Sequence, residues 1–578
     1  MGDLSTFPMG PLDYAAFGAF FVILSLVGYL AGRRERASSD DYFLAGRSLP
    51  WYVVGGSFIA SNISTEHFIG MIGAAFVYGI CTSMACWGNV FSFSLIIWFF
   101  IPFLLASRVF TMPEFLERRY NPMLRQFFAL VTVVSNIVAF LAAVLYGGAL
   151  ALQVLFGWPL WLAIILLGVV SGIWAIYGGL SSVAWTDLVT VIVMLIGGVM
   201  VTVLGLKMLG GETGTLLGGF ANMIEANKAE TGIWKEAVSQ TATQIVGRDT
   251  YDRLSVIQPA SHQMTPWPNL VLGVFSISIW YNVLNQFMIQ RVLGAKNMYH
   301  ARMGIVLAGF IQALLPLIIV VPGLILFARY PDVLKLPWDQ VRPEADKGYV
   351  QMLQMLVPVG LRGLFLAALF GAIQSTVNSV LNSSSTIITL DFYKRLFRPD
   401  AGEKQIVWVG VLTSAVVLVV AMVLGWHIQH LRGSLFIYIQ TLYAFFAPPF
   451  SAIFLLGMVW RRINATGATV AAFCGFAFGI AMKLYVHYVP DHPTWLAPYA
   501  NQAIINWLFC VAVCTTVSLA TRPPKPEQLT DALGFRWRGR SIFVGLGTRW
   551  YNSVVTWWLI FVLSIAALVT LFSGFVLR

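Results

Sequence analysis

The chain has 578 residues, 58% hydrophobic and only 11% charged, whereas soluble proteins carry about 25% charged residues; a soluble globular enzyme is excluded and a polytopic membrane protein is indicated. The formal charge of +11 would suit a nucleic-acid binder, but the basic residues sit between apolar runs in the pattern that orients membrane helices, so the expected partner is a lipid bilayer and not nucleic acid. The five cysteines (Cys81, Cys86, Cys474, Cys510, Cys514) all fall in apolar runs without zinc spacing. They read as buried free thiols, with Cys510 and Cys514, one helical turn apart, as an alternative thiol pair.

A run of about 20 apolar residues crosses a hydrocarbon core as a helix. Fourteen candidate spans are expected, near 12–32, 50–75, 80–106, 123–155, 158–178, 183–208, 268–290, 303–328, 350–390, 405–426, 433–458, 464–487, 501–520 and 549–576. The first lacks a preceding basic region and is followed by arginines, so it is read as an uncleaved span. With the N-terminus outside, alternate connections hold most of the basic residues, among them Arg33, Arg34, Arg36, Arg108, Arg118, Arg119, Arg291, Arg461 and Arg462, which places those connections in the cytoplasm. The ninth candidate is too long for one span and is expected to continue into the cytoplasm as a helix. Residues 209–267 read as an extracellular loop, and 521–548 as a cytoplasmic linker before the last helix at 549–576.

The second span carries an anomaly. Within its apolar flanks lie Ser61, Asn62, Ser64, Thr65, Glu66 and His67, with Gly55, Gly56 and Gly70 nearby. Such a polar island is costly in a membrane unless it lines a cavity, a pathway or an ion, and a broken helix is expected. The seventh span is interrupted in the same way at Ser276, Ser278, Tyr281, Asn282, Asn285 and Gln286. The two lie five spans apart, the spacing of paired five-helix units of opposite orientation with a site at mid-membrane.

In the ninth span, Ala372, Ser375, Thr376, Ser379 and Ser383 share a helical face. Small residues and hydroxyls there serve either close helix packing or a small hard cation such as Na⁺. Asp187, at the start of the sixth span, reads either as an interfacial carboxylate near a helix N-terminus or as a cation relay.

The segments Asp41-Tyr-Phe-Leu-Ala-Gly-Arg-Ser-Leu-Pro50, Ala60-Ser-Asn-Ile-Ser64, Phe68-Ile-Gly-Met71, Thr111-Met-Pro-Glu-Phe115, Ile176-Tyr-Gly-Gly-Leu180, Trp185-Thr-Asp187, Asn285-Gln-Phe-Met-Ile-Gln-Arg291, Leu381-Asn-Ser383 and Trp460-Arg-Arg462 occur in this order. Together they resemble the solute:sodium symporters, the sodium/glucose cotransporter family, most closely its bacterial sodium/sugar members, from about residue 12 to 520. The resemblance implies an all-α membrane protein of leucine-transporter-like fold. One transporter domain would span 1–578, built on inverted five-helix repeats at about 50–208 and 268–458. It implies a sodium site from the backbone carbonyls of Ala60 and Ile63 with Ala372, Ser375 and Thr376. A second sodium or an exit route would involve Asp187 and Ser379, although Asn378 stands where two-sodium members carry a hydroxyl. It further implies solute contacts from Asn62, His67, Tyr281 and Gln440, an outer gate of Met71 and Phe436, and an inner stacking gate at Tyr281.

The sequence departs from the sugar-pocket pattern at four places. Cys86 replaces a glutamate, Gln312 a lysine, and Ala85 and Asn282 stand where aromatic partners are expected; Asn282 and Gln312 remain candidate solute ligands. These departures weaken the case for glucose or galactose itself. No arginine occurs between Arg125 and Arg248, so no guanidinium of the fourth to sixth spans is available to clamp a carboxylate. The expectation is sodium-coupled import of a small neutral polar solute, a sugar or polyol, across the plasma membrane by alternating access. The alternatives are an inositol, a nucleoside or an amino acid as solute, or a non-transporting sensor on the same fold. An enzyme is not expected, because no phosphate loop, metal-ligand motif or nucleophile elbow is present.

Overall fold

The computed structural model describes residues 9–33, 38–64, 66–211, 214–429, 435–531, 533–534, 543–574 and 576, and the side chains of all of these but 174, 342, 349, 351 and 435–437. The chain is all-α: among the described residues, extended pairing is confined to isolated bridges such as Leu49 with Ala295. Twelve helices among them are long and apolar enough to cross a membrane. The other two expected spans fall short of that test for visible reasons. The second is broken, and the fifth is continuous with the sixth in one long kinked helix, Leu160–Leu209.

Helix α1 (Pro11–Gly32) is the expected first span. The second span enters as α2 (Trp51–Asn62) after Pro50 and stops where Ile63 turns extended, at φ −82° and ψ 113°. It resumes through a wide turn over Glu66–Met71 and α3 (Ile72–Tyr78). The break is held locally, because the Ser64 hydroxyl accepts from Glu66 N at 3.1 Å. The extended Ile63 also strips the last carbonyls of α2 of their helical donors, leaving them for other partners.

Two further short helices, α4 (Met112–Arg119) and α5 (Pro122–Ser135), begin with proline in the first turn under Thr111 and Asn121 caps. They meet the far end of the ninth span in a buried ion-pair cluster. Arg125 Nε reaches Asp391 Oδ1 at 2.6 Å and Arg125 Nη1 reaches Glu117 Oε2 at 2.6 Å, while Arg395 also pairs with Glu117. This cluster closes the face on which the basic loops gather.

The fifth and sixth spans form one continuous but kinked element, α6 (Leu160–Leu209), bent at Gly179 with φ 57°. A side chain at Gly179 would also stand 2.3 Å from the Tyr42 carbonyl oxygen, so position 179 requires glycine twice over.

The seventh span repeats the device of the second. Helix α7 (Trp267–Gly273) passes through two wide turns, Val274–Ser278 and Trp280–Leu284, and ends at an extended Asn285 before α8 (Gln286–Leu293). Helix α9 (Met298–Arg329) follows. The ninth candidate needs correction at its start. Residues 350–356 belong to the preceding helix α10 (Trp338–Leu356), and α11 begins only at Arg362 (Arg362–Ile387). Pro358 forces Val357 out of the helical region and Gly360 sits at φ 101°. The expected continuation is present, as a wide turn carrying the helix on to Phe397. Helix α12 (Leu435–Val459) supplies the remaining wall of the site.

Residues 209–267 contain two helices, Leu216–Lys228 and Gly232–Val246, which pack on the outer end of α9 through Asn227 and Trp234 donating to the carbonyls of Leu324 and Ala328. Arg253 anchors this loop to the broken span. It donates to the carbonyls of Phe76 and Val77, both at 2.7 Å, and stacks 3.6 Å from the Phe327 ring centroid. A cation is well placed against the last carbonyls of α3. All five cysteines are free, so the paired reading of Cys510 and Cys514 is not realised as a disulfide.

Candidate functional site

Between the two broken spans lies a cavity of about 110 Å³. The break in α2 supplies Asn62, Glu66 and His67, the wide turns after α7 supply Ser278 and Tyr281, and α12 supplies Gln440 and Tyr443. Four predicted solute residues, Asn62, His67, Tyr281 and Gln440, thus meet in one place. Asn62 Nδ2 is buried there without a hydrogen-bond partner. The Tyr281 ring lies 5.4 Å from that of Tyr443 and 6.0 Å from that of Phe140, an aromatic floor to the cavity.

The other candidates fall elsewhere. Asn282 is buried outside the lining and spends Nδ2 on Asn89 Oδ1 and Ser92 Oγ, each at 3.0 Å. Gln312 and Met71 are buried and do not line the cavity. Phe436 lies in α12, but its side chain is outside the described residues. The site also contains Glu66, a member of the polar island to which the sequence assigned no role, and Tyr443, which the sequence reading missed. Glu66 accepts from Gln440 Nε2 at 3.0 Å, with the Tyr443 hydroxyl 3.4 Å from its other oxygen. Tyr443 stands one turn beyond Gln440 on the same helix face, a spacing that would have pointed to it.

Below the cavity, α2 and α11 face each other. Thr376 Oγ1 donates to the Ser61 carbonyl at 3.4 Å, and the buried Ser375 hydroxyl stands toward Asp187. Ala60, Ile63 and Ala372 are fully buried. Deeper still, Asp187 Oδ2 accepts from Ser57 Oγ at 2.6 Å and Ser61 Oγ at 3.2 Å, and lies 3.5 Å from Arg291 Nη2. Arg291 also donates to Ser57 Oγ at 2.7 Å and to Ser379. Both Asp187 and Arg291 are 1% exposed, so the interfacial reading of Asp187 does not hold. Both amide atoms of Asn378 are buried without hydrogen-bond partners. Sequence spacing gave no hint of the Asp187–Arg291 pair, whose members come from distant helices, Leu160–Leu209 and Gln286–Leu293.

The rim of the cavity holds a buried histidine. His262 is fully buried, and its Nδ1 accepts from the backbone N–H groups of Met264 at 3.2 Å and Thr265 at 3.1 Å, residues that line the cavity mouth. Burial pushes the imidazole down to about 3. Below its ordinary value of about 6.5, the unfolded loop binds the proton and the folded loop does not, so stability falls as pH drops through this window, by about 1.4 kcal/mol per unit. At pH 5 the rim should lose about 2 kcal/mol relative to neutral pH. Hydrogen exchange of residues 254–266, corrected for the intrinsic pH effect, should show this, and His262→Gln should abolish it. Equal protection at pH 5 and 7 would contradict it.

A sequence model of the Sodium:solute symporter family matches residues 42–475. The chain belongs to this family. The symporter is 33% identical over 538 residues to a sodium/glucose cotransporter of Vibrio parahaemolyticus, covering 90% of this chain and 93% of the relative. It is 31% identical over 545 residues to a sodium/myo-inositol cotransporter of Mus musculus, covering 89% and 74% respectively. Its fold matches that of a Na⁺-coupled sialic acid symporter solved in a substrate-bound outward-open state, with a TM-score of 0.71 and 22% identity over 89% of this chain and 99% of that one. The fold is leucine-transporter-like, and the symporter is a multi-pass plasma-membrane protein whose partners are sodium and a small solute. Its relatives are cotransporters, not enzymes.

Proposed function

We propose that this symporter imports a neutral polyhydroxyl solute, a sugar or cyclic polyol, with sodium as the driving ion. The observation that carries the reading is the break in α2, which faces two ways. Asn62 and His67 line the cavity, while the Ser61 carbonyl faces Thr376. One unwound segment touching both sites gives a direct physical route for sodium and solute to favour each other's binding.

The proposed sodium ligands are the carbonyls of Ala60, Ile63 and Ala372 with the hydroxyls of Ser375 and Thr376; the burial of both hydroxyls against the break in α2 supports this set. Asp187 is proposed as part of the exit route and not as a second sodium site, because the Arg291 guanidinium already stands beside it as a tethered cation. The inverted repeats at 50–208 and 268–458 follow from the matched breaks at Ile63 and Asn285. Tyr281 is proposed as the inner gate, and Met71 and Phe436 as the outer one. The described cavity lining contains no lysine or arginine, which disfavours an anionic solute. The sodium/glucose and sodium/myo-inositol relatives support a sugar or polyol.

The test is uptake into sealed proteoliposomes of D-glucose, myo-inositol, a nucleoside, an amino acid and sialic acid, with and without an inward sodium gradient. Accumulation of glucose or myo-inositol only with sodium is expected. Gradient-driven accumulation of the amino acid or the acid sugar alone would overturn the solute class. Binding without accumulation of any solute would favour a sensor.

A further inference from the structure

Glu66 has no role in the sodium site, and the solute contacts proposed above do not use it, yet it is the one residue of the described lining that bears a carboxylate. It is 5% exposed, no lysine or arginine lines the cavity beside it, and among the described residues it enters no ion pair. Arg291, a buried guanidinium of the core, is already engaged by Asp187, Ser57 and Ser379. The two neighbours that Glu66 does have both present donors: the Gln440 amide at 3.0 Å to Oε1 and the Tyr443 hydroxyl at 3.4 Å to Oε2. Each oxygen therefore receives one donor from the protein and retains acceptor capacity, since a carboxylate offers about four acceptor sites. Gln440 and Tyr443 lie one turn apart on the same helix and fix the carboxylate plane at the cavity wall.

We propose that Glu66 is the acceptor pole of the solute site and determines its specificity, taking two O–H or N–H donors from adjacent carbons of the solute. This rests on the polyol reading above and sharpens it: the favoured solute presents a vicinal diol at this end. Solutes with a carboxylate or phosphate there bring acceptors in place of donors to this pole, with no lysine or arginine in the lining to compensate them, and are rejected. Gln440 and Tyr443 act as positioning residues that hold the carboxylate toward the solute. Hydrogen bonds to a buried acceptor of this kind discriminate strongly against analogues that lack the donor, because the acceptor is then left unpaired.

The experiment measures half-saturation in proteoliposomes for D-glucose and myo-inositol, and competition by 2-deoxyglucose and by glucuronate, in wild type, Glu66→Gln and Glu66→Asp. Glu66→Gln should raise the solute half-saturation by ~10- to 100-fold and narrow the preference for the parent sugar over glucuronate. Sodium half-saturation measured at saturating solute should stay unchanged, which a merely structural role would not allow. Glu66→Asp keeps the charge with a shorter reach and should fall between the two, which separates lost recognition from lost folding. Wild-type accumulation of either probe together with an unaltered half-saturation and selectivity in Glu66→Gln would overturn this inference alone. A wild-type protein that accumulates neither probe under a sodium gradient would overturn the polyol reading first, and this inference with it.

Discussion

Asp187→Asn is expected to destabilise the symporter by about 3–5 kcal/mol, because it leaves the Arg291 guanidinium, only 1% exposed, without its compensating charge. The pair is not a tight fork: Nη2 stands 3.5 Å from Oδ2. Much of the contact runs through Ser57, whose hydroxyl accepts from Arg291 Nε at 2.7 Å and lies 2.6 Å from Asp187 Oδ2. Removing either charge therefore strands the other, whereas removing both returns two neutral amides to a site already lined with hydroxyls. The double variant Asp187→Asn/Arg291→Gln should accordingly be more stable than either single one, with a coupling of about 2 kcal/mol or more. Thermal unfolding in one detergent at fixed sodium concentration checks this. Additive losses would show that the two charges do not interact.

The sequence made the two broken spans legible because polarity in an apolar run has few explanations in a membrane. Ser61 to His67 and Ser276 to Gln286 were visible as anomalies, and the structure breaks the helices within them at Ile63 and Asn285. The four residues Asn62, His67, Tyr281 and Gln440 were likewise placed together by the family resemblance, and the cavity contains them all. Direction within the pocket was not legible. Asn282 and Tyr281 are neighbours in sequence, but only Tyr281 lines the cavity while Asn282 turns to Asn89 and Ser92. Helical spacing fixes which face a residue occupies in a regular helix, and the wide turns of 274–284 disturb that spacing. The partner of Asp187 was hidden for a different reason, since contacts between distant helices leave no trace in local pattern. The start of the ninth span was misjudged because apolar residues run across Pro358, where backbone sterics and not hydropathy end the helix.

Thr376→Val is expected to raise the sodium half-saturation of uptake by ~10- to 100-fold while leaving the fold intact, the loss that follows from removing one charge-assisted oxygen contact. Valine keeps the β-branched shape, so a residue that serves only helix packing would tolerate the change, and a stripe of small side chains in lipid has no need of the hydroxyl. Thr376→Ser reverses the comparison by keeping the oxygen and losing a methyl, and should remain near wild type in sodium dependence. Ser375→Ala, which removes a second buried hydroxyl of the proposed set, should also weaken sodium. Reciprocity supplies the stricter criterion. If sodium and solute meet through the break in α2, these variants should raise the solute half-saturation at limiting sodium and restore it at saturating sodium, since the solute contacts themselves are untouched. A sodium half-saturation within twofold of wild type in Thr376→Val would place the driving ion elsewhere, and a solute half-saturation independent of sodium would uncouple the two faces of the broken helix.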